Sequence, residues 1–301
     1  MPMAPNYYGQ EGLFFGNATD RNGSIADIQS KINYFADTKM KAHTVQQFAV
    51  KLLIAISLLS AGQTAYASDK ITIAAAADLK FALDEVVVLF NKSHPADQVD
   101  VIYGSSGKFR TQIEQGAPYD LYFSADIAYP RALKDAGLAV SEAQTYGIGR
   151  IVLWSTQRTA DQMSLAGLVD PAIQKVAITN PQLAPYGKRA EEALKAAGVW
   201  DKVEAKLVFG ENVAQTAQFV QTGNAQVGII ALSLALSPEL AKQGSYVLIS
   251  DTLHQPLEQG FIITRRAANN PLAREFARFM SGKEARAIMM RYGFALPSET
   301  K

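Results

Sequence analysis

From residue 70 onward, short runs of β-branched and small apolar residues alternate with stretches whose apolar positions recur at helical spacing. Lys70–Ala76 (KITIAAA) has the length and composition of a buried strand. Asp78 stands where a helix N-cap belongs, and Leu79, Leu83, Val86, Val87 and Phe90 then fall on one helical face. Val99–Tyr103 predicts a second strand, Gly104-Ser105-Ser106-Gly107 a turn into a helix over Phe109–Glu114, and Tyr119–Ser124 a third strand. A helix over Ile127–Ala136 ends at Gly137. The pattern then restarts with strands at Arg150–Trp154, Lys175–Thr179, Ala205–Val208, Gln226–Ala231 and Tyr246–Ile249. Helices Ala184–Ala197 and Val213–Gln221 lie between them, closed by Gly198 and Gly223. A strand at Gln259–Thr264 precedes two closing helices, Pro271–Met280 and Lys283–Arg291.

Strands alternating with helices predict an α/β fold with mostly parallel sheets covered by helices. Two blocks emerge, roughly 68–148 and 150–250. The helices after about Gly260 have no strand set of their own and can return to the first block. No internal repeat and no low-complexity linker stands out.

Upstream, Val50–Gly62 reads VKLLIAISLLSAG, preceded by Lys41 and Lys51 and followed by Ala65-Tyr66-Ala67. A basic flank, a short apolar run and a small-x-small site in that order make a secretory signal peptide. The run is too short to span a bilayer, which needs roughly 20 apolar residues. Signal peptides begin near the initiating methionine, so Met40 is the expected start. Residues 1–67 are therefore an N-terminal extension plus signal peptide (40–67), with cleavage after Ala67 and export to the periplasm.

Composition narrows the chemistry. The chain has no cysteine, which excludes disulfides, thiolate metal sites and thiol nucleophiles, and argues against a lipid anchor. The whole chain carries a net charge of +1, and the part after Ala67 is neutral. No basic face for nucleic acid is implied. Only His94 and His254 remain in the mature part, a poor supply of general bases for an enzyme.

In open α/β sheets ligands sit where strands hand over to helix N-termini. Four such junctions are loop-like: Ala74-Ala75-Ala76-Ala77-Asp78, Tyr103-Gly104-Ser105-Ser106-Gly107, Thr179–Gly187 with two prolines, and Gly210-Glu211-Asn212-Val213-Ala214. Singly, each reads equally as tight packing or a capped turn. Together, two in each block, they make a cleft whose free backbone N–H groups can hold an anion without a charged side chain. Lys108 lacks the spacing of a nucleotide phosphate loop.

The segments KITIAAAADL, YGSSGKFRTQIEQGAPYDLYFSAD, ITNPQLAPYGKRAEEAL, ENVAQ and RYGFALP resemble the periplasmic molybdate-binding proteins of molybdate ABC transporters, over essentially all of 68–301. The resemblance implies a two-lobed periplasmic-binding-protein fold: lobe one from 68–148 and 260–301, lobe two from 149–259, with a hinge between them. It implies a monomeric, non-enzymatic solute-binding protein without cofactor. Such a protein captures molybdate or tungstate and delivers it to a membrane permease. Molybdenum or tungsten would be met only through the oxygens of the bound anion. Carried over position by position, the ligand-binding residues are Asp78, Ser106, Tyr186 and Val213, the last two through backbone N–H groups.

Two positions depart from the family pattern. Ala231 stands where some members carry a tyrosine contact, and Asp78 where the family often has serine. An ionised carboxylate beside a dianion is repulsive. Either Asp78 caps its own helix and offers only its N–H, or it is protonated when the anion binds. Other readings are a binding protein for sulfate, phosphate or a small carboxylate, and a secreted hydrolase using Ser106, although G-x-S-x-G is absent.

Overall fold

The computed structural model describes residues 69–296 throughout and, upstream, only residues 27, 29–39, 41 and 47, which are helical. The apolar run and cleavage site of the expected signal peptide lie outside the described residues. The chain forms two compact units, Met1–Tyr66 and Ala67–Lys301, and the second holds both sheets. Among the described residues no helix is long and apolar enough to cross a membrane.

Two five-stranded sheets organise this unit. The first contains β1 (Lys70–Ala76), β2 (Gln98–Gly104), β3 (Leu121–Ser124), β4 (Gln144–Gly149) and β10 (Leu257–Ile263), in the order β2-β1-β3-β10-β4. The second contains β5 (Ile151–Ser155), β6 (Val176–Thr179), β7 (Leu207–Gly210), β8 (Val227–Ala231) and β9 (Ser245–Leu248), in the order β7-β6-β8-β5-β9. The two orders are the same pattern. In each, a central strand pairs in parallel with two neighbours (β1 with β2 and β3, β6 with β7 and β8). A returning strand pairs antiparallel with two others (β10 with β3 and β4, β5 with β8 and β9). The chain leaves the first sheet after Gly149 and re-enters it at Leu257, which is paired with Gly149.

Strand alternation sorts the first sheet's side chains onto two faces. Ile71, Ile73, Phe123, Phe261 and Ile263 face α1 (Lys80–Ser93), α8 (Pro271–Met280) and α9 (Lys283–Arg291). Ala74, Tyr122 and Ile262 face Phe109 and Ile113 of α2 (Ser106–Glu114) and Leu133 of α3 (Ala128–Asp135). Thus the terminal helices complete the sheet that the N-terminal strands begin. Phe90, Phe123, Phe261 and Phe276 are fully buried and in mutual ring contact. Each contributes roughly 1.5–3 kcal/mol by leaving water. The second sheet is covered by α4 (Pro185–Ala196), α5 (Trp200–Val203), α6 (Val213–Gln221) and α7 (Leu232–Ala235).

Several elements differ from the sequence expectation, which among others did not include the short helices α5 and α7. Strand β4 is new: Gln144–Gly149 holds two glycines and little apolar character, and is a strand because it pairs with β10. The strand expected at Ala205–Val208 lies two residues later, since Glu204–Lys206 is a 3-10 turn continuing α5. Helix α2 starts at Ser106 rather than Phe109, so the second serine of the turn is already helical.

Candidate functional site

Three helices begin at the carboxyl ends of strands, and each leaves an N–H group over at its first turn. In α6 the Asn212 carboxamide oxygen accepts from the N–H groups of Ala214 and Gln215, both at 3.0 Å, and the Asn212 carbonyl accepts from Thr216 at 3.1 Å. That cap leaves the N–H of Val213. In α4 the first residue is Pro185, which has no N–H, and those of Gly187 and Lys188 go to the Ala184 carbonyl at 3.1 and 3.2 Å. The N–H of Tyr186 is left. In α2 the Gly107 N–H is taken by the Leu183 carbonyl at 3.1 Å and that of Phe109 by Ser105 at 3.0 Å, which leaves those of the first residue, Ser106, and of Lys108.

Direct contacts bring these helix starts together across the two sheets. Ser105 Oγ and Gly107 N both donate to Leu183, three residues before Tyr186. Lys108 forms an ion pair with Glu211, two residues before Val213, at 3.0 Å. Tyr186 OH donates to Asp78 Oδ2 at 3.0 Å, and Ser233 Oγ donates to the Asp78 carbonyl at 2.7 Å. Ala76, Ala77 and Ala125 from the first sheet pack into the same buried cluster as Tyr186 and Val213 from the second. The cleft between the lobes is therefore closed, and Asp78, Ser106, Tyr186 and Val213 are all buried in it.

Their roles differ in detail from the sequence reading. Asp78 is not a helix cap. It sits inside a 3-10 turn, Ala77–Leu79, α1 starts only at Lys80, and neither start has a side-chain cap. The turn carries the carboxyl group to the second lobe instead, where the Tyr186 hydroxyl meets it. Burial pushes its pKa up to about 6, against the opposing pull of the nearby Gln259 amide and of the Tyr186 hydroxyl. The Tyr186 phenol is itself held well above the usual range by burial and by the neighbouring Asp78 carboxyl, so it stays protonated.

Ser106 Oγ accepts from the Ala125 N–H at 3.0 Å. Ser106→Ala is expected to strand that buried N–H and lower stability by about 1–3 kcal/mol in urea denaturation. Among the described residues no histidine stands ready to activate Ser106 as a nucleophile. His94 stacks on Phe90 and lies 3.1 Å from Glu275, while His254 Nδ1 is bonded to the Gln255 carbonyl at 2.8 Å.

Two functional-looking residues escaped the sequence. Gln259 Nε2 donates to the Tyr186 hydroxyl at 3.0 Å, and Tyr146 OH donates to Gln259 Oε1 at 2.6 Å. Both come from β4 and β10, at the crossing between lobes. The readable signal is Gln259 itself, a fully buried amide beside the apolar run Phe261–Ile263. Ala231 is buried and offers no hydroxyl, and the nearest one after it, on Ser233, is occupied by Asp78.

The model of the bacterial extracellular solute-binding protein family matches residues 71–295. The chain belongs to this family. This solute-binding protein is 33% identical over 231 residues to the molybdate-binding protein ModA of Rhodobacter capsulatus, covering 76% of the chain and 89% of the relative. It is 30% identical over 261 residues to a putative ABC transporter substrate-binding lipoprotein, YvgL, of Bacillus subtilis, covering 84% of the chain and 98% of the relative. Among solved structures, the periplasmic molybdate-binding protein of Azotobacter vinelandii superposes with a TM-score of 0.71 at 31% identity, covering 76% of the chain and 100% of the other. The two mixed sheets are accordingly the two lobes of a periplasmic-binding-protein fold, and the solute-binding protein is not an enzyme.

Proposed function

We propose that this solute-binding protein captures molybdate or tungstate between its lobes and delivers it to the membrane permease of an ABC transporter. The observation that carries the reading is the convergence of three helix starts, each with an N–H left over at Ser106, Tyr186 or Val213. Such groups hold an anion by directed hydrogen bonds and by the positive end of the helix dipole. Asp78 completes the set from the carboxyl end of β1. The nearby cations do not supply a counter-charge, since Lys108 is paired with Glu211 and Arg189 with Glu192. Selection against sulfate then rests on size, because donors fixed for the longer metal–oxygen bonds leave those to sulfate stretched.

The moving bodies are 68–148 with 260–301 and 149–259, with the paired strands β4 and β10 at the hinge. The protein works as a monomer in the periplasm, translated from Met40 and cleaved after Ala67. Sulfate, phosphate or a small carboxylate are the alternative ligands.

Calorimetric titration with molybdate, tungstate, sulfate and phosphate at fixed ionic strength tests the reading. One-to-one binding of the first two with sulfate silent is expected, and binding of sulfate with molybdate silent would overturn it. Val213→Pro is a sharper probe of the site. Proline is tolerated at the first helical position, and Asn212 already has the extended backbone (φ −148°, ψ 170°) that a following proline requires. The substitution removes one N–H and little else. A hydrogen bond to a charged group contributes roughly 1.5–3 kcal/mol, so affinity should fall about 10- to 150-fold while the melting temperature changes little.

A further inference from the structure

The Asp78 carboxyl group is 1% exposed and lies where the two lobes meet. A chain of hydrogen bonds ends on it. Tyr146 donates to Gln259, Gln259 to Tyr186, and Tyr186 to Asp78 Oδ2, every donor pointing towards the carboxyl. The other oxygen, Oδ1, is buried and has no hydrogen-bond partner. A buried carboxyl oxygen without a donor is costly, and a ligand offering only oxygens brings no N–H to satisfy it.

Among the described residues, the elements around Asp78 provide no cation for it. Helices α6 and α7 carry no titratable residue. On α1, Lys80 is paired with Asp84. On β2, Tyr103 donates to Asp84 at 2.6 Å and Asp100 is paired with Lys70 at 2.7 Å. Near the start of α4, Arg189 is held by Glu192 at 2.6 Å and faces Asp126 at 4.0 Å. On β10, Glu258 accepts from Thr145 at 2.8 Å and lies 3.7 Å from Arg131. What faces the carboxyl is a pair of phenols, Tyr186 and Tyr146, both kept protonated by burial and by Asp78 itself.

We propose that the oxyanion is bound together with one proton, shared between Asp78 Oδ1 and an oxygen of the anion. The inference rests on the oxyanion reading of the cleft. Two oxygens that are both acceptors repel at hydrogen-bonding distance, and a single proton turns the contact into a charge-assisted hydrogen bond. The raised carboxyl pKa agrees with this, because the closed cleft already favours the protonated form. The sign follows: where the unliganded carboxyl is ionised, each binding event consumes a proton, and affinity falls as pH rises.

The test is calorimetry of the purified protein with molybdate between pH 6.5 and 8.5, in two buffers of different ionisation enthalpy. The expected result is uptake approaching one proton per anion at the upper end, with affinity falling towards tenfold per pH unit. Asp78→Asn and Asp78→Ser should bind without proton uptake and with flat affinity. Hydrogen phosphate carries its own proton. Tight phosphate binding without uptake at the upper end of this range, where the hydrogen phosphate dianion itself brings the proton, would support the shared proton while moving the ligand assignment. Tight molybdate binding by the wild type with no uptake and no pH dependence overturns the proposal alone. If none of these anions binds the wild type or either variant, the oxyanion reading falls and the proposal with it.

Discussion

Replacing Gly187 with alanine is expected to destabilise the protein by about 3 kcal/mol, towards the upper end of overpacking effects, and to abolish high-affinity anion binding. A Cβ at this position would lie 2.2 Å from the Thr179 carbonyl oxygen and 2.7 Å from the Thr179 and Asn180 carbonyl carbons. All three are backbone atoms, so no side-chain rotation can relieve the clash. The end of β6 and the start of α4 must separate, and Tyr186, one residue earlier, must move with the helix. Its hydroxyl would lose Asp78 and Gln259, and its N–H would leave the cleft. Urea denaturation would measure the first effect and calorimetric titration with molybdate the second. Wild-type stability together with undiminished affinity would mean that α4 can shift without disturbing the site, contrary to the closed geometry described above.

The same glycine illustrates what was legible from the chain alone. Proline, tyrosine and glycine in succession mark a rigid turn into a helix, and the helix is there, from Pro185. The α/β character, most elements and the four loop-like junctions were readable because each depends on local periodicity and local turn chemistry. The repeated strand order of the two lobes was not readable. It depends on β4, whose Gln144–Gly149 sequence has no strand signature of its own and is held by pairing with residues more than a hundred positions away. The Tyr146–Gln259–Tyr186–Asp78 chain was hidden for the same reason, since its members come from four separate stretches. Asp78 was misassigned as a cap because an acidic residue after a strand is usually one. A single 3-10 turn, invisible to periodicity, moves the helix start past it and sends its carboxyl to the other lobe.

That displaced carboxyl should also be visible in the stability of the protein without ligand. Asp78 has an ordinary pKa of 3.8 when the chain is unfolded and about 6 in the closed fold. A carboxyl whose folded pKa is raised favours folding below its unfolded pKa, and the advantage disappears as pH rises through the folded value. A shift of this size corresponds to about 3 kcal/mol, lost between roughly pH 4 and 6. Other groups titrate in the same window, so the informative quantity is the difference between wild type and Asp78→Asn. The amide keeps an oxygen for the Tyr186 hydroxyl and has no charge to bury. The variant should therefore gain on the wild type as pH rises, by up to about 3 kcal/mol at pH 8, in paired urea denaturations at pH 4 and pH 8. A difference that does not change with pH would mean that Asp78 is solvated before the anion arrives. The resting protein would then be open, and the cost of burying the carboxyl would fall entirely on the closing step.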